Sequence, residues 1–145
     1  MYPHLSQVQF RRARAEDCAM LAAMNHQLIR DEGHRNPMTI PELAERMKQW
    51  LATDYKAVVF ERDSVIVAYA LYREQAEEIY LRQLFVPPAH RRQGIGRQAI
   101  EILRSQIWPA NRRLTVEVLV KNETALQFWR AVGFKDYSLR LEIMP

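Results

Sequence analysis

The sequence contains a single cysteine, Cys18, among its 145 residues. An internal disulfide is therefore impossible, and a lone cysteine in an apolar helical stripe is most often a small core residue. The first stretch, MYPHLSQVQFRRARAEDC, lacks the apolar core of a signal peptide, and no apolar run approaches membrane-spanning length. These absences argue against a disulfide-stapled secreted domain and against a membrane-embedded protein, and they predict a cytoplasmic location.

Internal repeats, low-complexity tracts and linkers are also missing, so a single domain over residues 1–145 is expected. A chain of this length with 48% hydrophobic and 26% charged residues has the composition of a globular protein with a sizeable core. Its four histidines, His4, His26, His34 and His90, show no spacing typical of metal ligands. We therefore expect no metal site.

The net charge of +4 would by itself suggest a nucleic-acid partner. The basic residues, however, are scattered over several elements, and no basic stripe interleaved with aromatic residues is present. The densest basic cluster lies in one loop, at residues 91–97. A small ligand that carries phosphates accounts for this pattern better than a nucleic acid or a membrane surface does.

That loop has the composition of an anion-binding cradle. It reads VPPAHRRQGIG over residues 86–96, after a predicted strand at Ile79–Val86 and before a helix with apolar residues at helical spacing. The first turn of a helix has free backbone N–H groups and a partial positive charge, which attract anions. At Gly94 and Gly96 no Cβ blocks the approach of a pyrophosphate. The forked donors that suit phosphate oxygens are supplied by Arg91, Arg92 and Arg97.

Three interpretations of this loop that invoke no family can be compared. A P-loop requires a lysine followed by Ser or Thr after the glycines, and the sequence has none there. The segment Gly94–Ala99 matches the short dinucleotide fingerprint, with Glu117 at about the expected distance of 20 residues. That match is weaker, because Pro87–Gln93 separate the glycines from the strand and Glu117 lies inside the run LTVEVLV. An ordinary strand-to-helix loop with solvated arginines remains open.

Two motifs carry a resemblance to a known family. The pattern V-x-P-x-x-R-x-x-G-x-G, formed by Val86, Pro88, Arg91, Gly94 and Gly96, resembles the acyl-CoA-binding motif of the GNAT superfamily of N-acetyltransferases. A downstream block is similar to the family's second pattern at its usual distance, with Asn122, Ala125, Phe128, Trp129, Gly133 and Phe134. The resemblance extends over nearly the whole chain and implies an α/β fold, here a GNAT fold.

The predicted elements agree with that fold. They run β-α-α-β-β-β-α-β-α-β, with a central mixed, mostly antiparallel twisted sheet and helices on both faces. The predicted strands are Val8–Arg12, KAVVFER, SVIVAYALYR, Ile79–Val86, Arg113–Val120 and Phe134–Leu141, and the predicted helices begin near Ala15, after Thr39, at the glycine loop and after Asn122. The family usually adds one more strand. That strand is expected to be either missing or supplied by another subunit, which would make the protein a homodimer.

The resemblance assigns the donor site. By this resemblance the donor substrate would be acetyl-CoA, and the backbone of Leu84, Phe85 and Val86 would face pantetheine and the thioester. A backbone N–H of Phe85 or Val86 would polarise the thioester carbonyl. The pyrophosphate-binding residues are Arg91, Arg92, Gln93, Gly94, Ile95, Gly96 and Arg97. The family also uses an asparagine at the position of Asn122 to touch the cofactor, and the same side chain is expected to cap a helix.

The acceptor chemistry departs from the family. Where many members carry a glutamate base the sequence has Arg82, which cannot be a base but suits a substrate carboxylate or phosphate. A surface or ion-paired arginine is equally compatible with that position. The family's tyrosine acid is replaced by Trp129, whose indole is not an acid near neutral pH and which also suits the core. Base candidates are Glu32 and His34 in the loop after the first helix, with Tyr80 as a third, although a solvated loop with ordinary caps explains the first two as well.

Together these residues predict an acetyl-CoA-dependent N-acetyltransferase. An amine of a small molecule or a peptide would attack the thioester directly, without a covalent enzyme intermediate. The alternative is a catalytically silent acyl-CoA-binding module, which the replacements at Arg82 and Trp129 would explain. A nucleic-acid-binding protein is a more distant third hypothesis.

Overall fold

The computed structural model describes residues 7–145, so His4 lies outside the described residues. The strands are β1 (Gln9–Arg12), β2 (Tyr55–Arg62), β3 (Val65–Glu74), β4 (Glu78–Phe85) and β5 (Arg113–Thr115). The helices are α1 (Cys18–Glu32), α2 (Ile40–Ala52), α3 (Ile95–Ile102) and α4 (Glu123–Ala131). Short 3₁₀ turns at Ala15–Asp17 and Pro88–His90 precede α1 and α3, and α3 continues as a π-helical segment over Leu103–Ile107.

The strands form one mixed sheet in the order β1-β2-β3-β4-β5. All neighbours are antiparallel except β4 and β5, which are parallel and are joined by the crossover through α3. The predicted α/β class and the mostly antiparallel mixed sheet are confirmed.

The sheet separates two apolar layers. On one face, the sheet residues Tyr69 and Phe85 pack with Leu21 of α1 and Met47 of α2. The opposite face packs on α3, with Trp108, Phe128 and Trp129 completing the layer, and its core includes Phe60, Tyr72, Ile79, Leu81, Ile95 and Leu103. Helices therefore cover both faces of the sheet, as the predicted element order requires.

The second helix begins after Thr39, as predicted, and starts with a capping box. The Thr39 hydroxyl accepts from the Glu42 N–H at 3.3 Å, and a Glu42 carboxylate oxygen accepts from the Thr39 N–H at 2.9 Å. Pro41 occupies the first turn, where a missing N–H costs nothing. The local sequence thus fixes where α2 begins.

Two predicted strands are wrong in part or in full. The strand expected over Arg113–Val120 ends at Thr115, because the chain beyond that residue diverges from β4 and has no ladder partner. No strand forms at Phe134–Leu141, because residues 135–145 make no backbone hydrogen bond with the rest of the described chain. Both segments have the residue pattern of strands but form no backbone hydrogen bonds with a neighbouring segment, and a β-ladder consists of such bonds.

An ion-pair network links the first strand to the start of α1. Arg11 donates to Asp17 at 2.9 and 3.0 Å and to Glu61 at 2.9 Å, while the Arg14 N–H donates to Asp17 at 2.7 Å. The hydrogen bonds from Arg11 hold the pKa of Asp17 below its usual value. The charged form of Asp17 is therefore the one that stabilises the fold.

We expect Asp17→Asn to lower the free energy of unfolding by about 1 kcal/mol at neutral pH. Because the pKa of Asp17 is lowered on folding, this contribution is present above the unfolded-state pKa and is lost as the pH falls through the folded-state pKa. Urea unfolding of both proteins at several pH values tests this. A stability difference that stays constant down to strongly acidic pH would contradict the charge-assisted role.

Candidate functional site

The outer edge of β4 is open at its C-terminal end. On that side β4 pairs with β5 only through Glu78, Ile79 and Tyr80, whereas its other side stays paired with β3 as far as Phe85. The segment 116–120 follows β5 but forms no ladder with β4. The divergence leaves an opening beside the backbone of residues 84–86, where the thioester is predicted to lie.

A cradle of free N–H groups follows this opening. Gly94 adopts a left-handed conformation, with φ of 76°, as the residue that caps α3. The N–H groups of residues 94–97 donate no hydrogen bond to other described residues, as expected at the start of a helix. Arg92 and Arg97 are exposed and form no ion pair within residues 7–145. These free donors and cations fit a pyrophosphate group.

The other predicted arginine of the cradle is engaged by the protein. The Arg91 Nε donates to the Val86 carbonyl at 2.7 Å, and its Nη2 donates to the Asp31 carboxylate at 2.6 Å. Arg91 therefore ties the loop to the end of β4 and to α1. Gln93 accepts from Arg62 and holds the loop to β2. Contact between these two side chains and phosphate stays a prediction.

Gly96 has a packing role that the sequence did not reveal. A Cβ at this position would lie 3.1 Å from Cε1 and Cζ of the Phe128 ring, so the missing side chain lets α3 approach α4. A Cβ at Gly94 would meet nothing within 4 Å. Of the two glycines in the cradle, only Gly94 therefore combines open space with a backbone conformation that favours glycine.

Asn122 caps α4, as predicted. Its Oδ1 accepts from the Ala125 N–H at 3.2 Å. This contact satisfies one free donor of the helix start. The predicted cofactor contact of Asn122 remains a prediction.

A cavity of about 180 Å³ lies between α1, α2 and the end of β4. The sequence-predicted residues Glu32, His34, Tyr80 and Arg82 all line it, together with Leu84 of the predicted thioester strand. The remaining lining residues are Asn25, Leu28, Ile29, Asn36, Arg46, Leu81, Gln83, Val116, Glu117 and Trp129. Residues chosen for acceptor chemistry thus share one cavity next to the predicted donor site. A second cavity, of about 580 Å³ around Trp108 and Asn111, contains none of the predicted site residues.

The end of α1 brings Glu32 and His34 together. Gly33 is left-handed, with φ of 73°, and the His34 N–H donates back to the Ile29 carbonyl at 3.0 Å. This turn places the His34 Nε2 at 3.3 Å from the Glu32 Oε1. Burial raises the pKa of the Glu32 carboxyl, and the neighbouring His34 partly opposes that shift. A carboxylate with a raised pKa is a stronger proton acceptor than an exposed one.

Tyr80 has different acid–base properties. Burial, and then the charge of Glu117, raise the pKa of its hydroxyl. The phenol therefore stays protonated near neutral pH and can donate a hydrogen bond. These properties suit a donor to developing negative charge better than a base.

A β-bulge sets the direction of Arg82. The register runs from Leu81 opposite Tyr72 to Gln83 opposite Leu71, which leaves Arg82 as an extra residue on β4. Regular strand alternation predicts from the sequence that Arg82 shares a face with Leu84. This prediction is wrong, because the bulge reverses the alternation. Leu84 packs on the α3 layer, whereas Arg82 lies over the rings of Trp50 and Tyr55 on the opposite side.

Trp129 serves the core and also lines the cavity. Its ring stacks edge-on against Phe128 at 4.9 Å and Phe134 at 5.3 Å between centroids. The expectation of a core aromatic is confirmed, and Trp129 is half-buried on the α3 layer.

Two polar residues of the cavity were missed from the sequence. Asn25 is fully buried on α1, and Arg46 lies on α2 beside the buried Met47. Both occupy positions on the apolar face of their helices. Asn25, for example, follows Leu21 by four residues and precedes Leu28 by three. A polar residue at a core-facing helical position was the signal that could have identified them.

The comparison with protein-family models assigns the fold to a family. The model described as "Acetyltransferase (GNAT) family" matches residues 20–134. The chain belongs to this family. The predicted resemblance and the acetyltransferase class are confirmed, because the match includes both motifs on which the resemblance was based.

Solved structures of GNAT acetyltransferases have the same fold. The aminoglycoside N-acetyltransferase AAC(6')-Iy in complex with CoA has a TM-score of 0.77 at 16% identity, covering 100% of this chain and 99% of that one. An acetyltransferase from Thermus thermophilus has a TM-score of 0.75 at 22% identity, with coverages of 92% and 90%. The aminoglycoside acetyltransferase meta-AAC0020 from an uncultured soil metagenomic sample, in complex with sisomicin, has a TM-score of 0.72 at 18% identity, with coverages of 95% and 96%.

Two other kinds of feature are absent from the described part of the chain. Within residues 7–145, no helix combines the length and the hydropathy that a membrane crossing requires. Among these residues there is also no group of three or more His, Cys, Asp or Glu side chains placed to hold a metal ion.

Proposed function

We propose that this GNAT acetyltransferase transfers an acetyl group from acetyl-CoA to the amine of a small molecule or a peptide. The observation that carries the proposal is the position of Leu84. Its backbone borders the opening between β4 and the segment 116–120, and the same residue lines the cavity that holds Glu32 and His34. A thioester in the opening would meet an amine from the cavity at the end of β4.

The donor side of the site supports this reaction. The free N–H groups at the start of α3, together with Arg92 and Arg97, would bind the pyrophosphate. The N–H of Phe85 or Val86 would stabilise negative charge that develops on the thioester oxygen. These groups would fix the thioester carbon at the mouth of the acceptor cavity.

The cavity that would hold the amine substrate also contains the group that would take up its proton. In the reaction, the amine nitrogen forms a bond to the thioester carbon, and the carbon–sulfur bond breaks. The proton released by the amine passes to Glu32, either directly or through His34, and the electron pair of the broken bond leaves on the thiolate. A thiol with a pKa of about 8.5 is an acceptable leaving group without an acid. Tyr80 would donate a hydrogen bond on this side of the site.

The acceptor class remains broad at this level. Neighbours of the same fold were solved with CoA and with sisomicin, an amine-bearing small molecule, which supports a small amine as acceptor. A peptide amine fits the same chemistry.

A thiol-release screen of purified protein with acetyl-CoA and a broad panel of amines tests the proposal. We expect thiol release with at least one class of amine, accompanied by a mass increase of the acceptor that matches one acetyl group. Acetyl-CoA binding without thiol release for any amine would instead favour the catalytically silent acyl-CoA-binding module.

We also infer that the protein forms a homodimer through its C-terminal segment. Tyr137, Leu139, Leu141 and Ile143 are 83, 64, 83 and 100% exposed, and residues two apart on an extended chain share a face. The backbone of residues 135–145 is unpaired within the described chain, so a second copy could cover both the apolar side chains and the free edge. Light scattering is expected to give twice the chain mass, and Leu139→Glu with Leu141→Glu is expected to give a monomer.

A further inference from the structure

The cavity beside β4 contains two arginines without a counter-ion. Arg46 extends from α2 and Arg82 from the bulge of β4, and neither forms an ion pair with a carboxylate among residues 7–145. Other arginines of the same chain do form such pairs, for example Arg91 with Asp31 at 2.6 Å. Two guanidinium groups without an ion-pair partner in one cavity favour a ligand with a negatively charged group beside them.

Both guanidinium groups are held in place before any ligand binds. The Cζ atoms of Arg46 and Arg82 lie 4.2 and 4.7 Å from the centroid of the same Trp50 ring. Arg82 also donates to the Tyr55 hydroxyl at 3.3 Å, and Arg46 donates to the Asn25 Oδ1 at 3.2 Å. Stacking on an aromatic face leaves the remaining N–H groups of a guanidinium free to bind an anion.

Buried donors without acceptors lie on the same wall. Asn25 is fully buried and its Nδ2 has no partner, and the Arg46 Nε is buried and unpartnered as well. Burial, and then the charge of Arg82, lower the pKa of Arg46. The titratable and charged groups that face Arg46 and Arg82 across the cavity are Glu32, His34, Tyr80 and Glu117. Unpaired buried donors cost stability, so an acceptor-rich group that reached them would be bound more favourably.

From these contacts we propose that Asn25, Arg46 and Arg82 bind an anionic group of the acceptor, so that the substrate is an amine that also carries a carboxylate or a phosphate. This inference rests on the proposed acetyl transfer and narrows its substrate class. It separates this chain from acetyltransferases whose acceptors are polycations, because the unpaired guanidinium groups of Arg46 and Arg82 would repel an ammonium group placed beside them. The anion would anchor at this wall while the amine meets Glu32.

Matched acceptor pairs test the charge requirement. Amino acids are compared with their carboxamides, and phosphoethanolamine with ethanolamine, with kcat/KM calculated for the deprotonated fraction of each amine. We expect kcat/KM to be about 10- to 100-fold higher for the anionic member of at least one pair. The pair with the larger ratio identifies carboxylate or phosphate as the group bound. Equal or better use of the uncharged members, or of sisomicin, would overturn the inference.

Variants locate the effect. We expect Arg82→Gln and Arg46→Gln each to raise KM for the anionic acceptor about 10-fold or more, with little change for its uncharged partner. The matched control, Arg104→Gln, removes one positive charge from an exposed position of the π-helical segment and is expected to leave both KM values unchanged. An unchanged KM in both cavity variants would contradict the proposal.

A binding measurement separates this inference from the proposed reaction. Succinate and inorganic phosphate, added to the full chain, are expected to raise the melting temperature of the wild type more than that of Arg46→Gln. That result together with no turnover of any amine would leave the anion site standing and would remove the acetyl transfer. Turnover of amines without any preference for anions in kinetics or binding would support the acetyl transfer and would overturn the anion site.

Discussion

Replacing Glu32 by glutamine is expected to lower kcat about 10²- to 10³-fold, with a much smaller effect on acetyl-CoA affinity. The amide keeps the size of the carboxyl group and its contact with His34 but cannot accept the proton of the attacking amine. Steady-state kinetics with the acceptor found in the screen and calorimetric titration with CoA measure the two effects. The control Glu45→Gln removes the same charge from an exposed position of α2 and is expected to keep wild-type activity.

The pH dependence of activity provides a second test of Glu32 as the proton acceptor. Burial raises the pKa of this carboxyl and His34 opposes the rise, so activity is lost as the pH falls through a pKa above the usual glutamate range. Removing the imidazole with His34→Ala should therefore shift the acid limb of kcat/KM to higher pH. A shift to lower pH, or an acid limb that persists in Glu32→Gln, would assign the proton acceptor to another group.

Replacing Gly94 by valine is expected to weaken CoA binding at least about 100-fold while the protein stays folded. The left-handed conformation at φ of 76° is strained for a β-branched residue, so the loop must change its backbone path. That change would move the free N–H groups at the start of α3 and insert a side chain where the pyrophosphate is predicted to lie. Calorimetric titration with CoA measures the loss.

A second glycine provides a matched control for Gly94→Val. Gly133 also has a positive φ, of 115°, and a Cβ there would meet nothing within 4 Å. Gly133→Val should therefore introduce comparable backbone strain, and a comparable drop in melting temperature, without loss of CoA affinity. Unchanged CoA affinity in Gly94→Val would show that the loop is not the pyrophosphate site.

Much of the local structure of the candidate donor site could be predicted because it depends on local sequence. The glycine pair and the neighbouring arginines lie within a few residues of the helix they precede, and Asn122 caps the helix that it begins. Helix starts and tight turns are set by neighbouring residues, which a single sequence displays directly. For the same reason, the Thr39–Glu42 capping box marked the beginning of α2.

The cavity beside β4 could be predicted only in part, because its lining residues come from elements that are distant in the sequence. The candidates Glu32, His34, Tyr80 and Arg82 come from separate segments, and nothing in their spacing shows that they share a cavity. Asn25 lies on α1 and Arg46 on α2, at positions where the spacing of apolar residues predicts a face that packs in the core. A contact between such residues is fixed by packing.

The two incorrect strands have one physical cause. Apolar alternation describes which faces a segment would present, but a strand exists only where a second backbone lies beside it. Val116 comes directly after β5 but belongs to no strand. Leu139 lies in a segment whose backbone forms no hydrogen bond with the rest of the described chain. In both cases the residues have the pattern of a strand, but no neighbouring segment forms backbone hydrogen bonds with them.

The extra residue at Arg82 makes β4 two half-strands of opposite phase. Up to Leu81 the odd-numbered residues face the α3 layer, and from Leu84 onward the even-numbered residues do. Deleting one residue at the bulge would therefore exchange the faces of everything between it and the glycine loop, whereas a substitution at Arg82 leaves both phases intact. The side chain that β4 presents to the cavity at Arg82 can thus change while the backbone of residues 84–86 keeps its register.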